Sequence, residues 1–272
     1  MDHLRWLKLL VYSEYGVGKT RLMGSACLVP QMRDILFIDA EAGDTTVLTE
    51  PDKEYYDAAR KYVDVVRVTT FKELSRVQEY LKAHCTLRDA GNDEKLKELE
   101  KKLRPSDFNP DTPPRKYNTV ILDSLSEAEI FSMYQLLGIT ERTRLDEEMA
   151  ESGWPEFRKN HSQILRMIRA FRDLPMHVLM TSAADYSQNE AKLFVYKPQL
   201  TGKLAKQCQG FMDVVGFMAV VAGEEGKPLR RMFVQPNARW NAKCRFASYK
   251  EPHYDDPDLK KILASVGLLE RK

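Results

Sequence analysis

The sequence predicts an α/β fold with a mainly parallel central sheet flanked by helices. Two observations carry this: short apolar or β-branched runs recur along the chain, and helical stretches separate them. Strands alternating with helices build βαβ units, and these assemble into parallel sheets. A third observation, a glycine-bearing turn directly behind the first run, marks the sheet edge where a site is expected.

The runs follow in order. Arg5 to Tyr12 reads as a buried strand, and Thr20 to Leu28 as the helix after it. Asp34 to Ile38 is a second strand, ending in Asp39-Ala-Glu41. Val63 to Thr69 is a third, and Thr70-Phe-Lys-Glu73 forms a capping box opening a helix to about Cys85. Asn118 to Leu122 is the fourth. A helix through Ile164, Leu165, Ile168 and Phe171 leads to the fifth, Met176 to Met180. Val214 to Val221 and Met232 to Val234 complete the strands. Residues 86–116 break the rhythm: both charge signs are mixed, Leu96, Leu99 and Leu103 recur at helical spacing, and Pro105, Pro110, Pro113 and Pro114 follow. This reads as a charged, proline-rich insertion, a solvated helix plus a stiff linker.

The 272 residues, 43% hydrophobic and 30% charged, suit a folded globular protein and exclude disorder over the whole length. A formal net charge of +2 excludes a global cationic field, so any nucleic-acid contact must come from a local patch. Cys27, Cys85, Cys208 and Cys244 are scattered, and the five histidines supply no zinc cluster, so the cysteines read as buried, reduced thiols. Charges at Asp2, Arg5 and Lys8 interrupt any signal-like stretch, and no run approaches the ~18 apolar residues of a membrane helix. The expected location is cytoplasmic, without a membrane partner.

Ser13-Glu14-Tyr15-Gly16-Val17-Gly18-Lys19-Thr20 fits the phosphate-loop pattern G-x-x-x-x-G-K-[ST], with Ser13 in place of the first glycine. Gly16 and Gly18 let successive N–H groups turn inward around a β-phosphate, with Arg21 directly behind the loop. Lys19 reaches the β- and γ-phosphates of ATP, and the Thr20 hydroxyl ligates Mg²⁺. A second magnesium-ordering carboxylate is expected at the end of a neighbouring strand, and Asp123 supplies it; the alternative is that Asp123 caps the next helix. Hydrolysis also needs a group to activate water. Glu41, two residues past Asp39, faces the carboxyl edge where parallel sheets bind ligands and is the candidate, with Asp39 holding the loop or an outer water. The alternative is that both acids only solvate the loop, and spacing alone does not choose between these readings.

Phe37-Ile-Asp-Ala-Glu41 resembles the segment of RecA-family recombinases that carries their catalytic glutamate, and Val120-Ile-Leu-Asp-Ser124 resembles their Walker B strand. Trp154 before a long helix, Asp173 to Val178, Pro198 to Lys203, Phe211 to Val215 and Ala242 to Arg245 extend the likeness. The chain is similar to phage-encoded RecA-like ATPases of the Sak type, single-strand annealing or recombination proteins. The resemblance implies a RecA-like P-loop NTPase core over residues 1–272, with Glu41 activating water and Asp123 ordering Mg²⁺. It implies that Lys243 and Arg245 reach the γ-phosphate of a neighbouring subunit, in a ring or filament with ATP at the interfaces. A single-strand binding protein is a further implied partner, and the location becomes the host cytoplasm if the chain is phage-encoded. The family's glutamine or histidine sensor past the fifth strand is replaced here by Thr181-Ser182, which leaves those two hydroxyls for the task.

The stretch from Ala184 to Gln207 carries Lys192, Lys197, Lys203 and Lys206 interleaved with Phe194 and Tyr196, a pattern suited to single-stranded DNA. The alternative is a hairpin with exposed lysines and core aromatics. Arg142 and Arg144 form a weaker candidate among acidic neighbours. The expected function is therefore a DNA-stimulated ATPase acting on single-stranded DNA; the alternative is a nucleotide-gated interaction module that touches no DNA. A small-molecule kinase is disfavoured by the absence of an arginine-rich lid motif.

Overall fold

The computed structural model describes residues 6–49, 51–103, 109–144, 146–148, 151–188, 192–246 and 251–268. Strand β1 (Lys8–Ser13) is buried at every position, as a strand covered on both faces must be. Arg5, the expected start, lies outside the described residues, and the strand runs on to Ser13. Helix α1 (Lys19–Gly24) is shorter than expected, because the chain tightens into a 3₁₀ turn over Ser25–Leu28. The Ser25 hydroxyl donates back to the Leu22 carbonyl (2.6 Å) and accepts the Leu259 N–H (3.1 Å), which competes with the α-helical ladder.

Strand β2 (Ile35–Asp39) is followed by two helices absent from the sequence reading, α2 (Asp44–Leu48) and α3 (Lys53–Tyr62). Asp52 caps α3, accepting the Tyr55 N–H at 2.9 Å. Strand β3 (Val63–Arg67) leads to α4 (Phe71–Asp89). Thr70 caps it as expected, but Glu73 reaches back to the Thr69 N–H (2.8 Å), one residue before the cap. Helix α5 (Asp93–Leu103) corrects the solvated reading of residues 86–116. Leu96 is buried, and Leu99 and Leu103 pack on the core. Arg115, behind it, pairs with Asp34 and Asp64, each at 3.1 Å. Pro105 falls outside the described residues.

Strand β4 (Thr119–Asp123) is followed by α6 (Leu125–Leu136), capped by Ser124 rather than Asp123, and by α7 (Trp154–Arg172). Strand β5 (His177–Gln188) far outruns its apolar segment and turns back as β6 (Phe194–Pro198), so the lysine-rich stretch begins as a hairpin. Helix α8 (Leu204–Gln207), strands β7 (Val214–Ala222), β8 (Pro228–Phe233), β9 (Lys243–Cys244) and β10 (His253–Asp255), and helix α9 (Leu259–Ser265) follow.

The sheet order is β10-β8-β7-β1-β5-β4-β2-β3. From β7 to β3 every pairing is parallel, and the antiparallel β8 and β10 extend the far side. Alternation along β1 sends Leu10 and Tyr12 into one core with α4, α6 and α7. Leu9 and Val11 enter the other, with α1, α3 and α9. Strand β5 lies between β1 and β4, so Asp123 is on the next strand but one from the loop, not on an adjacent strand. Register still brings Ser13 level with Ala183, and Asp39 level with Asp123, at one carboxyl edge. Among the described residues no helix is long and apolar enough to cross a membrane.

Candidate active site

The loop after β1 holds Gly16 and Gly18 at φ +74° and +108°, conformations that side-chain-bearing residues rarely adopt. No side chain among the described residues caps α1, so its first N–H groups are open to phosphate oxygens. Lys19 is buried beneath the loop, with Nζ donating to the carbonyls of Ser13 and Glu14, both at 3.2 Å. Burial pushes its ammonium below the usual lysine range, while Glu41 and Asp123 pull the other way. Tyr15 stands 73% exposed, its ring 5.6 Å from the Lys19 nitrogen, and its hydroxyl donates to the Gln199 amide oxygen (3.4 Å). Arg21 lies behind the loop with its guanidinium over the Tyr55 ring.

Asp123 meets this loop directly. The Thr20 hydroxyl donates to one carboxylate oxygen at 2.7 Å, and the Thr181 hydroxyl donates to the other. Burial raises the Asp123 carboxyl above its usual range; the two hydroxyl bonds oppose that rise, Glu41 adds to it, and Lys19 opposes it. Glu41 is exposed at the same edge and accepts a bond from the Ser124 hydroxyl. Asp39 is buried, accepting N–H groups of Glu41 (3.3 Å), Gly43 (2.9 Å) and Asp44 (3.4 Å). It orders the turn that presents Glu41. Of the two acids, Glu41 alone stands open to a water molecule at this edge.

Residues 5–246 match the AAA domain family. The chain belongs to the AAA domain family. No curated protein matches. Among solved structures, the crystal structure of the RadB recombinase is similar at 16% identity, over 83% of this chain and 78% of that one, with a TM-score of 0.40.

An AAA domain is a P-loop ATPase, and the residues present fit nucleotide with Mg²⁺. Thr20 and Asp123 offer a hydroxyl and a carboxylate, hard oxygen donors 2.7 Å apart. Among the described residues no group of three or more His, Cys, Asp or Glu could hold a metal alone. A two-donor site suits Mg²⁺, which completes its shell with phosphate and water oxygens. Once bound, the ion neutralises charge on the β- and γ-phosphates. Lys19, under the same loop, would meet those oxygens, and the Ser124 hydroxyl bonds Glu41.

The remaining expected residues divide. Thr181 is at the site, but Ser182 is not: alternation turns it to the other face, where its hydroxyl bonds Ser126 at 3.0 Å. Lys243 and Arg245 lie near the amino end of the sheet. Strand β9 pairs with Val214 and Val215, level with Leu9 and Leu10, so the loop in the same chain is about 10 Å further along the strand direction. Arg245 there pairs with Asp213 at 3.6 Å, and burial, aided by Arg245, pushes the Lys243 ammonium down to about 8.

The lysine-rich segment also divides. Tyr196 stacks on Phe217 in the core, whereas Phe194 and Tyr186 are exposed and meet edge to face on the hairpin. Lys192 is exposed near the tip, Lys197 pairs with Asp185 (3.4 Å), and Lys206 is exposed on α8. Lys203 lines a groove with Trp154, Phe157, Arg158 and His161 at the start of α7. Trp154 is 84% exposed. Arg144 is held by Asp146. Sequence reasoning missed Ser124, Gln199, Phe157 and Gly43, whose added Cβ would lie 3.4 Å from Asp123. Gly43 lies two residues past Glu41, and Ser124 and Gln199 lie inside the segments that carry the likeness.

Proposed function

We propose that this AAA domain is a RecA-like ATPase that acts on single-stranded DNA in annealing or recombination, with Glu41 activating water. The observation that carries the reading is a shared edge. The hairpin β5–β6 leaves the sheet at Ala183, level with Ser13, so aromatic rings and lysines rise beside the phosphate loop. Tyr15 touches Gln199, four residues before Lys203 in the Trp154 groove. Rings that stack bases next to cations that meet phosphates are the chemistry of a single-strand track. Lys243 and Arg245 serve a neighbouring subunit's γ-phosphate in a ring or filament of Sak-type, phage-encoded proteins.

The test is the ATPase rate titrated with single-stranded and duplex DNA at two salt concentrations. Single strands are expected to raise the rate several-fold, less at high salt, and Trp154→Ala with Lys203→Ala to remove the effect. Ile130 and Tyr134, exposed on α6 at 40% and 46%, favour the second reading, a nucleotide-gated protein-interaction module. A rate indifferent to DNA at either salt selects that reading and ends the first.

A further inference from the structure

The phosphate loop is gripped from a side that its motif does not specify. Arg230, exposed on β8, donates Nε to the Val17 carbonyl at 3.1 Å. A Cβ on Gly18 would lie 3.2 Å from that same nitrogen, so the guanidinium lies against the turn itself. Its neighbour Arg231 projects oppositely and is tied to Asp255 by two bonds of 2.5 and 2.8 Å. The Nη groups of Arg230 have no partner among the described residues, so its plane is fixed at one corner and otherwise open.

Sheet order shows which end of a nucleotide this plane faces. Asp123 stands two strands from β1 on one side, and β8 stands two strands away on the other. Thr20, Asp123 and Glu41, which would hold the metal and γ-phosphate end, lie on the first side. A phosphate chain held so would leave the loop toward β7 and β8 and carry the nucleoside there. A guanidinium is a planar, delocalised cation that stacks on aromatic faces.

We propose that Arg230 is a nucleotide-contacting residue whose guanidinium plane flanks the base of the bound nucleotide. This rests on nucleotide binding at the phosphate loop, and its test separates the two. Calorimetry on the full chain with Mg²⁺ compares ATP, ADP and inorganic tripolyphosphate, which has no base. Arg230→Ala is expected to weaken ATP and ADP about tenfold while tripolyphosphate stays within about twofold. Arg230→Gln, which keeps an N–H for Val17, is expected to show the same pattern, and it stands in if the alanine variant does not fold by circular dichroism. Equal losses for all three ligands, or recovery of ATP affinity in the glutamine variant, would make Arg230 a brace for the loop and overturn the proposal. Unchanged affinities would overturn it too. Wild-type protein that binds none of the three would sink the nucleotide site itself.

Discussion

Gly24 closes the helix that carries Lys19 and Thr20, and the space above it is already filled. A Cβ there would lie 2.0 Å from the Tyr55 hydroxyl and 2.9 and 3.0 Å from the two methyls of Val47. Both neighbours are buried, Tyr55 at 2% and Val47 at 0% exposure, so neither has solvent to retreat into. Overpacking of this kind costs about 1–3 kcal/mol. Displacing Tyr55 also strains its bond to the Arg21 carbonyl, 3.0 Å in the native protein and worth about 1 kcal/mol. Replacing glycine near a helix end returns up to ~1 kcal/mol. Gly24→Ala should therefore lose about 1–3 kcal/mol by urea denaturation. Tyr55→Phe alone should lose about 1 kcal/mol, and the double variant should lose less than the sum by at least ~1 kcal/mol, because the phenyl ring lacks the colliding oxygen. A Gly24→Ala loss under ~0.5 kcal/mol, or an additive double variant, would refute the account of this contact.

Glu41→Gln should bind MgATP within about threefold of wild type while turnover falls about 10²- to 10⁴-fold in a phosphate-release assay; turnover close to normal would assign water activation elsewhere. Lys8 is buried and its ammonium is pushed down from 10.5 to about 8 by that burial, so between those values the unfolded chain holds a proton that the folded chain has released. Wild-type stability relative to Lys8→Met should therefore rise with pH by about 3 kcal/mol across that window; a difference flat in pH would mean that the carbonyls of Leu174 and Met176, at 2.7 and 2.6 Å, keep the ammonium charged.

The parallel sheet was legible because its strands are buried on both faces and so appear as apolar runs bounded by turns. Thr20 and Asp123 were legible because phosphate and metal chemistry fixes residue types at set offsets from a strand end. Helices α2 and α3 were not, since short polar segments bury only a few side chains, such as Val47, Tyr55 and Ala59. The apolar stripe of α5 is visible in the sequence, but the surface it packs on comes from distant elements, which spacing along the chain does not show. Arg230 was invisible for a related reason: its contact with Val17 spans more than two hundred residues and exists only once β8 folds back on β7.

The position of β9 constrains how copies of this chain can cooperate on one nucleotide. Lys243 and Arg245 lie near the amino end of the sheet, and the phosphate loop lies at the carboxyl end. An isologous two-fold dimer can bring cation to loop only where one self-complementary face carries both, and it then serves both pockets at once. A heterologous, front-to-back stack would instead set the cation-bearing end of one copy against the loop-bearing end of the next. Such a stack always leaves one pocket unserved at its end unless the last copy meets the first.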